Sequence, residues 1–326
     1  MPLCEIRVPT YQRPQLLERA LRSLLAQTHR HWRALVLDDS PAQEGRSVVA
    51  SLADDRITYR PNPARLGGAG NIDQAFASGP LLGGAYACVV EDDNWLLPDF
   101  LAANIAALEA SGTDLLLRNQ EIWAHADSLD PATATPTGRT TRGEWFQPRV
   151  YTPLELHAHL FFLETISNGG LFWRTSLKSS LQVGPLVTDA GLQEYCRCLQ
   201  IQDPLLFAPE PLACWAEMPP GHTLRNPASN RTFGRGTQSL KRHLIARYGD
   251  RIIQEAQGIA SRLGRGAEMK RALADVLRWV SHNKGLTLQG KLKSALKAAA
   301  KLLFVKDPLK EYLGRAGSPE TGAVQK

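Results

Sequence analysis

The 326-residue chain is 43% hydrophobic and 21% charged, with 26 Gly and 21 Pro, the balance of a globular protein able to bury a sizeable core. No apolar stretch reaches the roughly 18 uncharged residues of a membrane helix, and Glu5 and Arg7 interrupt the N-terminal apolar run that a signal peptide would keep unbroken. Charge is split: residues 235–326 hold 19 Lys/Arg against 7 Asp/Glu, a net +12, which leaves −6 of the overall +6 for the first 234, so the basic tail is expected to do a different job from the body.

In chain order, Leu3 to Val8 reads as a strand. Pro14 opens a helix whose Leu16, Leu17, Ala20, Leu21, Leu24 and Leu25 follow the i, i+3, i+4 rhythm of one buried face. Arg33 to Leu37 is a second strand, running into the turn Asp38-Asp39-Ser40-Pro41. A further helix precedes the strand Ile57-Thr58-Tyr59, after which comes a Gly-rich loop at 67–70 and a helical stretch from Asn71 to Ser78. Ala85 to Val90 reads as a buried strand, Pro98 to Glu109 as a helix, and Leu115 to Leu117 closes the series. Alternation of this kind predicts a mostly parallel sheet with helices on both faces, an α/β fold. Residues 126–143 lack periodicity and read as a surface loop. From 237 the chain turns helical and basic. The five cysteines lack redox or zinc spacing: Cys4 and Cys88 lie in apolar runs and a single residue separates Cys196 from Cys198. They read as reduced, structural residues of a cytoplasmic protein.

Ligands of an open parallel sheet sit at the carboxyl ends of its strands. Three polar clusters fall there: Pro9-Thr10-Tyr11-Gln12-Arg13, Asp38-Asp39-Ser40 and Glu91-Asp92-Asp93-Asn94. Three adjacent carboxylates repel one another unless a cation or an Arg stands among them, and sparse oxygen ligands suit Mg²⁺ or Mn²⁺, which also bind substrate phosphates. The plain alternative is a solvated turn in which Asp93 or Asn94 caps the next helix. The Gly-rich loop does not make a dinucleotide site, because Asp73 stands where the third glycine would be, nor a phosphate loop, because no Gly-Lys-Ser/Thr follows. Among later titratable residues, Asp189 is either a helix N-cap or a general base, Glu194 lies on the helix that follows, and His222 sits in a loop.

Three segments then match one family without gaps: Val8-Pro9-Thr10-Tyr11-Gln12-Arg13-Pro14, Leu24-Leu25-Ala26-Gln27-Thr28 and Leu35-Val36-Leu37-Asp38-Asp39-Ser40. They resemble the opening of a family 2 nucleotide-sugar glycosyltransferase of GT-A (Rossmann-like) fold, of the bacterial spore-coat and polysaccharide type. Val90-Glu91-Asp92-Asp93 with Pro98-Asp99-Phe100-Leu101 resembles its metal motif, and Ser167 to Arg174 its acceptor-side segment. The resemblance implies a catalytic domain over 1–234, divided into a nucleotide-sugar half (1–120) and an acceptor half (121–234), with a basic helical region at 235–326. It implies that Pro9, Thr10, Tyr11, Arg13, Asp39, Arg65, Gly67, Asn71 and Asp92 bind the donor, Asp39 accepting a hydrogen bond from a uracil or thymine base. Asp93 would hold Mn²⁺ or Mg²⁺, with Glu91 and His222 as further candidate ligands. The family's acid six residues before the helix Arg falls, counted back from Arg197, on Gly191. Asp189 is therefore the expected general base and Glu194 its runner-up. The implied reaction is inverting, metal-dependent transfer from a UDP- or dTDP-sugar to a hydroxyl of a saccharide or lipid-linked acceptor, in polysaccharide or glycoconjugate synthesis. The alternative is a catalytically degenerate module that binds nucleotide-sugar or glycan.

The tail adds a second feature. Lys293, Lys297 and Lys301 recur every fourth residue, while Leu292, Leu296, Ala299 and Leu303 fall on another face, so Gly290 to Val305 is basic and amphipathic. Residues 285–326 are expected either to touch an anionic membrane surface, placing the protein peripherally on the inner face, or to pack on the catalytic domain or a homodimer partner. With few aromatics for base stacking, the tail is not expected to bind nucleic acid.

Overall fold

The computed structural model describes residues 1–124, 134–217, 227–274, 276 and 287–316. Ten described strands form one mixed sheet: β1 Cys4–Thr10, β2 Trp32–Asp38, β3 Ile57–Pro61, β4 Tyr86–Val89, β5 Trp95–Leu96, β6 Leu115–Ala124, β7 Thr135–Thr140, β8 Val150–Tyr151, β9 Leu171–Arg174 and β10 Leu205–Ala216. Their order is β3-β2-β1-β4-β9-β6-β10-β5, with β7 on β6 and β8 on β10. The pairs β1–β2, β2–β3, β1–β4 and β6–β10 are parallel, and β9 runs antiparallel between β4 and β6. Eleven described helices cover this mostly parallel sheet: α1 Pro14–Leu25, α2 Gly45–Leu52, α3 Gly67–Gln74, α4 Phe100–Ser111, α5 Pro153–Ala158, α6 Ala190–Gln200, α7 Pro227–Tyr248, α8 Asp250–Arg262, α9 Gly266–Ala274, α10 Leu288–Phe304 and α11 Lys310–Ala316.

The two-residue period of the strands divides the core. Ala34, Val36, Cys88 and Leu116 point to one face, where they meet Leu17, Leu21 and Leu24 of α1 and Phe100, Leu101 and Leu108 of α4. Leu35, Leu37, Ala87, Val89, Leu115 and Leu117 point to the other, packed with Leu192 and Cys196 of α6, Leu240 and Leu244 of α7, and Ile252 of α8. All five cysteines are buried and unbridged.

The charges in β1 have a structural cause. Ile6 and Val8 enter one core while Glu5 and Arg7, both fully buried, face the other side. Arg7 donates to the carbonyls of Ala75, Ala77 and Gly79, and the Glu5 carboxylate accepts the N–H groups of Leu81, Leu82 and Gly84. A buried pair whose remaining hydrogen-bonding capacity is met by backbone can be retained in a core; here it ties the 75–84 connection to the central strand.

Two local readings differ from the sequence pattern. The aperiodic stretch 126–143, read as a loop, contains β7, which pairs antiparallel with the outer end of β6. The helix expected at Asn71–Ser78 begins instead at Gly67 and ends at Gln74. Its first N–H groups find a partner outside the helix: the Asp39 carboxylate accepts from Leu66 N at 2.8 Å and Gly67 N at 2.9 Å, a charge-assisted cap that meets unpaired helix donors.

Candidate active site

Register brings the three polar clusters together. In the parallel ladders Thr10 lies opposite Asp38, and Arg7 lies opposite Val89. Continuing the second ladder by three residues sets Thr10 beside Asp92. Thr10 Oγ1 donates to Asp92 Oδ2 at 2.8 Å, and the Tyr11 N–H adds a second bond to that oxygen at 3.2 Å. The cleft at this edge has a volume of about 440 Å³ and is lined by Pro9, Thr10, Tyr11, Arg13, Asp39, Arg65, Gly67, Gly68, Asn71, Ile72, Glu91–Asn94, Trp215 and Ala216. Every donor-site residue expected from sequence lies here, as do Glu91 and Asp93. Asn94 and Gly68 belong to the polar cluster and the Gly-rich loop already read from the sequence, whereas Ile72, Trp215 and Ala216 were not anticipated. His222 lies outside the described residues.

The individual carboxylates differ in what they hold. Asp38 is spent on structure, accepting from Ser40 N, Gly45 N and Tyr59 Oη. Asp39 accepts from Asn62 Nδ2 and Leu66 N through Oδ1 but only from Gly67 N through Oδ2, which leaves acceptor capacity on a carboxylate facing the cleft. Asn71 bridges the strand ends, donating to the carbonyls of Thr10 and Leu37. Arg65 stacks over the Tyr11 ring with its guanidinium carbon 4.9 Å from the centroid.

In the acidic run, Arg13 reaches Asp93 at 2.8 Å and Asp92 at 3.3 Å. Asp92 is buried, and burial followed by the Asp93 charge raises its pKa against the opposing pull of Arg13, Thr10 and the Tyr11 N–H. Glu91 is pushed higher still by burial, then by Asp93 and by Glu194. Its Oε2 accepts from Asn94 Nδ2 at 2.9 Å, and Asn94 Oδ1 accepts the Ala216 N–H, fastening the run to the end of β10. The reading of Asp93 or Asn94 as a helix cap does not hold, since the N-cap position of α4 is Asp99. Arg19, which the sequence did not single out, donates to the Asp93 carbonyl at 2.6 Å and stacks on Trp95.

The two candidate bases part company. Asp189 is the N-cap of α6, its Oδ1 accepting from Leu192 N at 3.0 Å. Glu194, one and a half turns further on, accepts from the Asn168 N–H at 3.1 Å and lies near enough to Glu91 to raise it. Burial raises the Glu194 pKa, opposed by Arg142, Arg197 and that Asn168 N–H. The 168–170 segment is pressed against β6: a Cβ on Gly170 would stand 2.5 Å from the Arg118 carbonyl, so only glycine fits. Arg197, fully buried, fixes the same segment from α6. It donates to Asn168 Oδ1 at 2.6 Å, to Leu181 O at 2.8 Å and to Asp73 Oδ1 at 3.0 Å. Chemically, the assembly offers a polar cleft with carboxylates for a cation, Arg13 and Arg65 for phosphate oxygens, and the raised carboxyl of Glu194 near cleft-lining Glu91.

Comparison with known proteins follows the same lines. Residues 5–129 match the family model for glycosyl transferase family 2. Over 109 residues the chain is 34% identical to the GalNAc(5)-diNAcBac-PP-undecaprenol beta-1,3-glucosyltransferase of Campylobacter jejuni, a match covering 31% of this chain and 33% of that protein. It is 29% identical over 122 residues to the Escherichia coli UDP-Glc:alpha-D-GlcNAc-diphosphoundecaprenol beta-1,3-glucosyltransferase WfgD, covering 37% and 46%. The matched region thus spans a third to under half of these relatives. Among solved structures, S. aureus TarS 1-349 superimposes with a TM-score of 0.55 at 14% identity, covering 92% of this chain and 91% of that one; at that identity the likeness is one of fold, and the fold is GT-A.

Proposed function

We propose that this chain, whose residues 5–129 match the family model for glycosyl transferase family 2, transfers a sugar from a nucleotide-sugar to a hydroxyl of a saccharide acceptor carried on a lipid diphosphate. The observation that carries the reading is the single cleft in which Thr10, Arg13, Asp39, Asp92 and Asp93 converge at the carboxyl ends of parallel strands. The names of the two relatives, both acting on undecaprenol-diphosphate-linked sugars, support the lipid-linked acceptor, and that of WfgD supports a UDP donor. Residues 1–120 would bind the donor, 121–234 the acceptor, and 235–326 would form the basic helical tail.

The uracil N3–H donates to Asp39 Oδ2, the oxygen with spare acceptor capacity. Arg13 and Arg65 meet the diphosphate. The donor set suits a divalent ion: Asp92 is already bonded by Thr10, Tyr11 and Arg13, whereas Asp93 bonds only Arg13 through its side chain. Among the described residues no group of three His, Cys, Asp or Glu side chains could hold a metal ion; phosphate oxygens and water would have to complete the shell of Mg²⁺ or Mn²⁺. Such an ion, held by Asp93, would neutralise charge on the departing diphosphate. Glu91, its pKa raised by burial and by its acidic neighbours, suits a neutral hydrogen-bonding role better than that of a ligand.

Glu194 is the general base in this reading, and Asp189 the cap that starts its helix. The acceptor hydroxyl gives its proton to the Glu194 carboxylate as its oxygen bonds to the anomeric carbon. The bond from that carbon to the diphosphate breaks on the opposite side, and configuration inverts. The test is release of nucleoside diphosphate from UDP-, dTDP- and GDP-sugars by the full chain, with Mn²⁺ and a polyprenyl-diphosphate-linked saccharide. Acceptor-dependent turnover with a uridine or thymidine donor is expected. Tight donor binding without turnover on any acceptor would point instead to a binding module.

A further inference from the structure

We infer that α10 is a membrane-docking helix that lies flat on an anionic lipid surface. This goes beyond the catalytic reading and rests on the exterior of α10 alone.

The described part of the chain leaves nine large hydrophobic side chains exposed, and five of them belong to this one helix: Leu288 (85%), Leu292 (61%), Leu296 (63%), Leu303 (75%) and Phe304 (84%). At about 100° per residue the four leucines fall within roughly 80° of one another, a stripe along the whole helix. Large apolar groups gathered in one exposed stripe mark a surface that another phase or partner covers. The inward side is small and fixed. Thr287 caps the N-terminus by accepting from Gly290 N, Ala298 is buried, and Gln238 of α7 donates to its carbonyl. Beyond the C-terminus, Asp307 pairs with Arg235 and accepts from Ser239, while buried Leu309 and Tyr312 anchor α11, Tyr312 donating to Cys196 O. The helix thus contacts α7 by its back while its stripe faces out.

Charge identifies the occupant. From Leu288 to Lys306 there is no Asp or Glu, and Lys291, Lys293, Lys297, Lys301 and Lys306 supply five positive charges. Lys293 and Lys291 flank the stripe, each about 60° from one of its edges, and exposed Lys297 lies further round beyond Lys293. Leucine and phenylalanine entering the acyl boundary, with lysines level with the headgroups, is the arrangement by which a surface helix binds anionic lipid. A second copy seated on the same stripe across a two-fold axis would set lysine against lysine, which opposes self-association through this face. No helix of the described residues is long and apolar enough to cross a membrane, so the contact is interfacial.

The test is co-sedimentation of the full chain with phosphatidylcholine vesicles, with and without phosphatidylglycerol. The chain should pellet with phosphatidylglycerol vesicles. Leu292→Gln with Leu296→Gln should weaken binding by roughly tenfold or more, and Lys293→Gln with Lys297→Gln should remove the preference for anionic lipid. These side chains are exposed, so the thermal midpoint should not move, and it serves as the folding control. The inference is overturned if the wild-type chain stays in the supernatant, or if both pairs of substitutions leave the bound fraction unchanged. It is equally overturned if the leucine pair abolishes a concentration-dependent dimer in sedimentation velocity while vesicles bind nothing.

Discussion

Replacing Arg197 by Met tests the network behind the proposed base. Its guanidinium is fully buried, bonds Leu181 O, Asn168 Oδ1 and Asp73 Oδ1, and stacks 3.8 Å from the centroid of Phe76. Methionine keeps much of the apolar volume but leaves the Asp73 carboxylate buried with only the Val183 and Gly184 N–H groups as partners. Removing one member of a buried pair costs about 3–5 kcal/mol. The two remaining backbone donors place this case at the low end, about 3 kcal/mol, or roughly 1 M in the urea midpoint if m is about 3 kcal/mol/M. Asp73→Asn in the same chain removes the uncompensated charge, so the double variant should be less destabilised than the sum of the singles by about 1–2 kcal/mol. Urea unfolding of the four proteins, followed by far-UV circular dichroism, measures both quantities. A loss below about 1 kcal/mol for Arg197→Met, or strict additivity in the cycle, would refute the assignment of Arg197 as the buried strut.

Other predictions follow from single contacts. Glu194→Gln should lower kcat by at least about 100-fold with donor affinity little changed, whereas Asp189→Ala should cost about 1 kcal/mol of stability as a lost cap and keep most of kcat; the reverse pattern would return the base to Asp189. Because burial raises Glu194 and a base must be deprotonated, activity should rise with pH through a limb displaced above the ordinary carboxylate range, and a limb lying within that ordinary range would contradict this. Burial lowers the His157 pKa to about 4, its ring held between Cys198 O and Tyr248 Oη. The unfolded chain then binds a proton that the folded one refuses, so stability should be intact above about pH 6.5 and fall by up to roughly 3 kcal/mol as pH drops toward 4. Burial lowers the His159 pKa to about 4 as well and adds its own share, so His157→Gln should remove only the His157 part of that acid limb in pH-dependent thermal unfolding.

How much the sequence disclosed depended on whether a feature was local. The strands and helices around the cleft were legible because their two- and 3.6-residue periods are strong, and strand ends in a parallel sheet share one edge. β7 was not legible: Thr135–Thr140 has no apolar alternation and is held by pairing with β6. Trp215 and Ala216 join the cleft only because β10 returns parallel to β6 and Asn94 catches the Ala216 N–H, a contact 122 residues apart that no local pattern encodes. Counting back from Arg197 pointed to Gly191. Arg197, however, turns inward to Asp73 and Asn168, and the acid that meets the same segment is Glu194, three residues before it. The register was a property of the packing, and spacing alone could not supply it.

The claim that the cleft of Thr10, Asp39, Asp92 and Asp93 holds a nucleoside diphosphate is tested most directly by calorimetric titration of UDP into the wild-type chain, Asp93→Asn and Glu194→Gln, each with and without Mn²⁺. Binding that strengthens with Mn²⁺, persists in Glu194→Gln and loses its metal dependence in Asp93→Asn is the predicted result. Equal, metal-enhanced binding by Asp93→Asn, or no binding of UDP to the wild-type chain, would contradict it.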